Sequence, residues 1–74
     1  MSAAVNLIAQ LRTARSWSQV QAAKHSGVTR TTLRRAEAGQ IDAMSVRTIM
    51  LLACAFELTP GELLDGLLEE NPRE

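Results

Sequence analysis

The chain predicts an all-α fold: a compact bundle of five short helices in which helices 2 and 3 form a steeply crossed pair. Three observations carry that expectation. The 74 residues include no Tyr, one Phe and one Trp, and no alternating β-branched run of the kind that writes a strand. Hydroxyl side chains able to cap a helix precede apolar stretches at Ser18, Thr29, Ser45 and Thr59. Glycines stand where two of those stretches must stop, at Gly27 and Gly39. The expected organisation is one domain over residues 1–70 with a frayed tail at 71–74, and no repeat, linker or low-complexity tract.

Helix 1 is expected over residues 3–14, with Val5, Leu7, Ile8 and Leu11 as its buried stripe and Ser16 ending it. Trp17 then takes the position before the next cap, where an aromatic acts as a core staple rather than a stacking platform. Ser18 opens helix 2 with a capping box: its hydroxyl accepts from the Gln21 amide while the Gln21 side chain reaches back to the Ser18 N–H. The helix should run to Ser26, because Gly27 adopts the left-handed conformation without a Cβ penalty. Val28 fills the corner, Thr29 caps helix 3, and Gly39 stops it after residues 30–38. Two helices separated by so short a turn cross steeply, the geometry that lets one lie over a phosphate backbone while the other enters a major groove. Ser45 caps helix 4, whose Val46, Ile49, Met50, Leu52, Ala53 and Phe56 are expected to form the floor of the domain. Thr59, Pro60 and Glu62 repeat the capping logic for helix 5, with Pro at the first helical position and Glu at the third.

The third helix points to function. At 3.6-residue spacing its inward positions are Leu33, Ala36 and Glu37, leaving Arg30, Thr31, Arg34, Arg35 and Ala38 on the opposite arc. Arg matches guanine O6 and N7 bidentately, and Thr can bond a base edge or touch a thymine methyl. A solvated basic face is the bland alternative, and the flanking caps and turn weigh against it. Net charge is zero, yet residues 1–47 hold seven basic against two acidic side chains while residues 48–74 hold one against six. A basic half of that kind suits phosphate contacts, and an acidic half limits nonspecific adhesion.

Other classes find little support. One His, one Cys and no metal-ligand spacing leave no catalytic set, so neither an enzyme, a metal nor a cofactor is expected. Cys54 lies in the apolar run Ile49 to Phe56 and reads as an inert buried thiol. That run is eight residues long, against about 20 for a membrane span. No secretory signal precedes the fold, which makes the cytoplasm the expected compartment. His25, near the end of helix 2, reads as a solvent-facing or dipole-complementing residue rather than a ligand.

Residues 5–64 resemble the lambda-repressor-like, Cro-type helix-turn-helix family, also called Xre. The resemblance rests on Ile8, Leu11 and Arg12, on Gln19, Ala23, Gly27, Val28, Thr29, Leu33, Glu37 and Gly39, and on Ala53, Phe56, Leu58 and Leu63. It implies binding to double-stranded DNA. By the resemblance Arg30, Thr31 and Arg35 contact bases, with Arg34 in either base or backbone reach. Gln19 and Thr29 would contact phosphate, as would Ser18 beside them, and Arg12 and Glu37 would form a buried ion pair between helices 1 and 3. The chain departs from the pattern at Ala22 and Ala36, where larger aliphatics are usual, predicting a thinner core filled by Trp17 or Met44. Ala38 replaces a common polar residue, and the loop Gln40 to Met44 holds Asp42 but no cation. Phosphate contacts there would fall to backbone amides, Gln40 or Arg47.

One such module covers about 600 to 1,000 Å² of protein surface, so tight specific binding calls for two copies on half-sites about 34 Å apart. Leu64, Leu67 and Leu68, with the loop at Glu57, Thr59 and Pro60, offer a homodimer surface. The favoured function is a small transcriptional regulator, a repressor that occupies a palindromic operator, since 74 residues leave no room for a separate effector domain. The alternative is an antitoxin or adaptor whose acidic, leucine-rich C-terminal half binds a partner protein, with DNA binding secondary.

Overall fold

A computed structural model describes residues 6–70, and the expectations for residues 3–5, Val5 and the 71–74 tail lie outside them. The chain folds into five α-helices: α1 (Leu7–Ala14), α2 (Gln19–Ser26), α3 (Arg30–Glu37), α4 (Val46–Ala55) and α5 (Pro60–Glu70), with a 3-10 turn at Ile41–Ala43. The all-α architecture and the α2–α3 pairing are those the sequence predicts.

The first helix starts at Leu7 because Asn6 is extended and caps it, its Oδ1 accepting from the Ala9 amide at 3.0 Å. Its Nδ2 donates to the Ala36 carbonyl at 2.7 Å, so the same side chain ties the start of α1 to the last turn of α3. Four helices end in a left-handed residue, Gly27 and Gly39 after α2 and α3, but Ser16 (φ 58°) and Glu57 (φ 61°) after α1 and α4. In both of the latter, backbone amides close back on the helix: Trp17 on Arg12 at 3.1 Å and Leu58 on Ala53 at 2.8 Å. A Cβ in that conformation costs about 1 kcal/mol per residue. Arg15 sits between these two ends, donating to the carbonyls of Leu11 (3.4 Å) and Phe56 (3.1 Å), where partial negative charge gathers at helix C-termini. Its guanidinium also lies 5.3 Å from the Phe56 ring centroid and 5.8 Å from that of Trp17.

Phe56, Ile8, Leu33, Leu52, Leu63 and Leu67 fill the core, joined by the fully buried Ala22 and Ala36. Trp17 and Met44 are among the partly buried side chains packed against that cluster. The α1–α5 approach is close: a Cβ built on Gly66 would fall 2.5 Å from Leu7 Cδ2.

Several expectations are corrected. The floor of α4 is Ile49, Leu52, Ala53 and Phe56, whereas Val46 is 76% and Met50 54% exposed. Each residue turns the helix by about 100°, so Met50 swings away from the core that Ile49 enters. Val46, at the first helical position, leans out past the packed turn. Cys54 is likewise exposed, one step round from buried Ala53, so it is not a core thiol. Leu67, grouped with a two-fold surface in the sequence reading, is 2% exposed and belongs to the core. His25, exposed as expected, does more than face solvent: it stacks on Trp17 with ring centroids 4.3 Å apart and 9° between planes.

Candidate DNA interface

Local chemistry fixes the two helices of the interface. The Ser18 hydroxyl accepts from the Gln21 amide at 3.1 Å and the Gln21 side chain accepts from the Ser18 amide at 2.8 Å, completing the capping box of α2. At the other end the Ser26 hydroxyl is buried and satisfied by the Ala22 carbonyl at 2.7 Å. Gly27 (φ 83°) reverses the chain, and three residues later α3 begins. Thr29 caps it, accepting from the Thr32 amide at 3.0 Å while its hydroxyl donates to Thr32 Oγ1 at 2.9 Å.

The third helix buries only Leu33 and Ala36, which is little apolar area to fix its orientation. A polar network adds to it. Arg12 Nε donates to Glu37 Oε2 at 2.5 Å and Arg12 Nη2 to Oε1 at 3.3 Å, a two-point contact. Gln19 Nε2 donates to the same Oε1 at 3.1 Å, and Arg12 Nη1 reaches the Trp17 carbonyl at 2.9 Å. The side chains of Arg12 and Glu37 are 17% and 10% exposed, so the only acid of α3 is neutralised beneath the helix. One Gln19 amide hydrogen remains for a ligand outside.

On the outer arc Arg30, Thr31, Arg34, Arg35 and Ala38 are all exposed. None of the three guanidinium groups has an ion pair or side-chain hydrogen bond among the described residues, in contrast to Arg12 and Arg15, which are both engaged inside the fold. Three unneutralised cations on barely two turns of helix make a dense positive field. Thr31, Arg34, Arg35, Ala38 and Gln40 surround one open depression of about 490 Å³. Four candidate contact residues thus converge there, with Ala38 as a fifth wall; Arg30, Ser18, Gln19, Thr29 and Arg47 lie outside it.

Sequence reasoning misses one participant. Asn6 stands before an apolar run, a legible N-cap signal, but its reach to α3 spans 30 positions and leaves no local trace. Ala38, expected on the outer arc, lines the depression there. No helix among the described residues is long and apolar enough to cross a membrane, and no group of His, Cys, Asp or Glu among them could hold a metal ion.

A helix-turn-helix family model matches residues 8–63, from the first turn of α1 through the first turn of α5. No curated protein and no solved structure gives a match. The match spans the capped turn, the half-buried Arg12–Glu37 bridge and the cationic outer arc, and the chain belongs to the helix-turn-helix family, whose domain is typical of DNA-binding transcriptional regulators.

Proposed function

We propose that this protein is a cytoplasmic transcriptional repressor of the lambda-repressor-like, Cro-type (Xre) kind that binds a palindromic operator in double-stranded DNA as a homodimer. The observation that carries the reading is the unpaired state of Arg30, Arg34 and Arg35 on a helix whose one carboxylate is turned inward and bonded. A solvated basic surface has no need of a bracing network beneath it, whereas a helix that must enter a groove at a fixed angle does. In this reading residues 1–70 act as one unit. Arg30, Thr31, Arg34 and Arg35 address base edges, and Ser18, Gln19, Thr29 and Arg47 address phosphates. No metal, cofactor or catalytic step is involved. The exposed residues Glu57, Thr59, Pro60 and Leu68, with half-buried Leu64, form the two-fold contact.

Selection of bound fragments from random duplexes, followed by nuclease footprinting, tests recognition and symmetry together. A palindromic motif is expected, with half-site centres about one helical turn apart. Arg35→Ala should weaken binding by about 1 to 3 kcal/mol and relax preference at one position per half-site. Thermal unfolding of that variant should be unchanged, since the exposed Arg35 side chain makes no ion pair or hydrogen bond within the fold. Blank footprints in dilute buffer would overturn the reading, and a monomer by sedimentation both with and without DNA would remove the dimer.

A further inference from the structure

The family resemblance gives Gln40 a phosphate contact, whereas its side chain lies beside the residues expected to face the bases. Its surroundings are those of the base-facing arc instead. Gly39 (φ 81°) reverses the chain, and the Gln40 amide closes on the Arg35 carbonyl at 3.1 Å. That bond returns the Gln40 backbone to the last turn of α3 rather than letting it trail away. The side chain is exposed, makes no hydrogen bond among the described residues, and lines the same depression as Arg34, Arg35 and Thr31. Ala38, with a single methyl group, leaves the space between them open.

We propose that Gln40 reads a base edge in the major groove, with adenine its match, as a specificity-determining residue beside Arg34 and Arg35; this rests on the DNA-binding reading above. A carboxamide presents one acceptor and one donor side by side, the pattern that adenine N6–H and N7 complement, whereas a guanidinium presents donors alone and selects guanine. Because it lines the same depression as Arg35, Gln40 addresses a base pair close to the one Arg35 addresses, and each half-site places adenine near guanine. Ala38 acts by its size, keeping the amide free to reach past it.

The test compares the full chain with Gln40→Ala and Gln40→Glu by selection from random duplexes, then titrates each against the wild-type site and its single-base variants. Both variants should keep the wild-type circular dichroism, because the exposed Gln40 side chain contributes no hydrogen bond to the fold. Gln40→Ala is expected to lose about 10- to 100-fold on the wild-type site but less than about threefold on the site already changed at its adenine. Gln40→Glu should move the preference at that one position from adenine towards cytosine, whose N4 amine a carboxylate accepts. Equal weakening of every sequence by Gln40→Ala, with the selected motif intact, would overturn this assignment and leave the DNA-binding reading standing. A wild-type chain that selects no motif would overturn both.

Discussion

Helices α3 and α4 are nearly equal in length and opposite in construction. The first buries two side chains, Leu33 and Ala36, and turns three arginines outward. The second buries Ile49, Leu52 and Ala53, hands on to buried Phe56, and carries Arg47 as its only charged residue. Apolar burial holds α4, so the domain rests on it. Polar contacts supplied by other helices, from Arg12, Gln19 and Asn6, do much of the work of holding α3. A helix that must present a charged face to a ligand gives up part of its apolar stripe, and directional bonds then set its angle.

The largest expected effect falls on α4. Phe56→Ala removes the bulkiest core side chain and should cost about 3 to 5 kcal/mol. A domain this small holds about that much in total, so the variant should show little cooperative unfolding by circular dichroism at room temperature. A sharp transition near the wild-type midpoint would show that α4 is not the base of the fold.

Arg12→Ala tests the other style of support. Complete burial of the pair would make the loss about 3 to 5 kcal/mol. The side chains keep 17% and 10% of their exposure and Gln19 stays bonded to Glu37, so about 2 kcal/mol is expected, in the range for a hydrogen bond to a charged group. Adding Glu37→Ala should restore part of that loss, because no carboxylate would then be left without its cation. If the double variant were less stable by the full sum of the two single losses, the bridge would carry no coupling and α3 would owe its angle to packing alone.

Smaller still is the effect at the helix ends. The sequence places glycine after α2 and α3 but Ser16 and Glu57 after α1 and α4, in the same left-handed conformation. Ser16→Gly and Glu57→Gly should each stabilise by about 0.5 to 1 kcal/mol, the strain relieved less the entropy glycine adds to the unfolded chain. Thermal midpoints should therefore rise. A fall would mean that the side chain at that position makes a compensating contact in solution.

Legibility followed the same division. The α2–α3 unit could be read closely because its signals are local: a capping box four residues long, a glycine at each stop, a threonine cap. Burial in α4 and α5 was harder, because periodicity says which residues share a face but not how much of that face a neighbour covers. Leu63 with Leu67 and Leu64 with Leu68 are equivalent pairs on paper, yet the core takes the first pair and leaves Leu68 37% exposed. Val46, Met50 and Cys54 were misjudged for the same reason, in a helix so poor in charge that every face looks apolar. The Arg12–Glu37 bridge came from family resemblance alone. The His25–Trp17 stack joins a turn to a helix end, which no pattern in the chain announces.

The smallest prediction concerns the face that α4 leaves in water. Met50 is 54% exposed and one step round from the core, so Met50→Gln exchanges a solvent-facing thioether for an amide of similar length. Surface changes of this kind usually stay within about 0.5 kcal/mol of zero, and the shift of the unfolding midpoint from the wild-type value should be the same at micromolar and at hundred-micromolar protein. The concentration series is what gives the experiment its force. If the variant lost more than about 1 kcal/mol, and lost more of it in the concentrated sample, Met50 would be buried by another copy in solution. The contrast between the two helices would then be one of partners, DNA for α3 and protein for α4, rather than one of support against display.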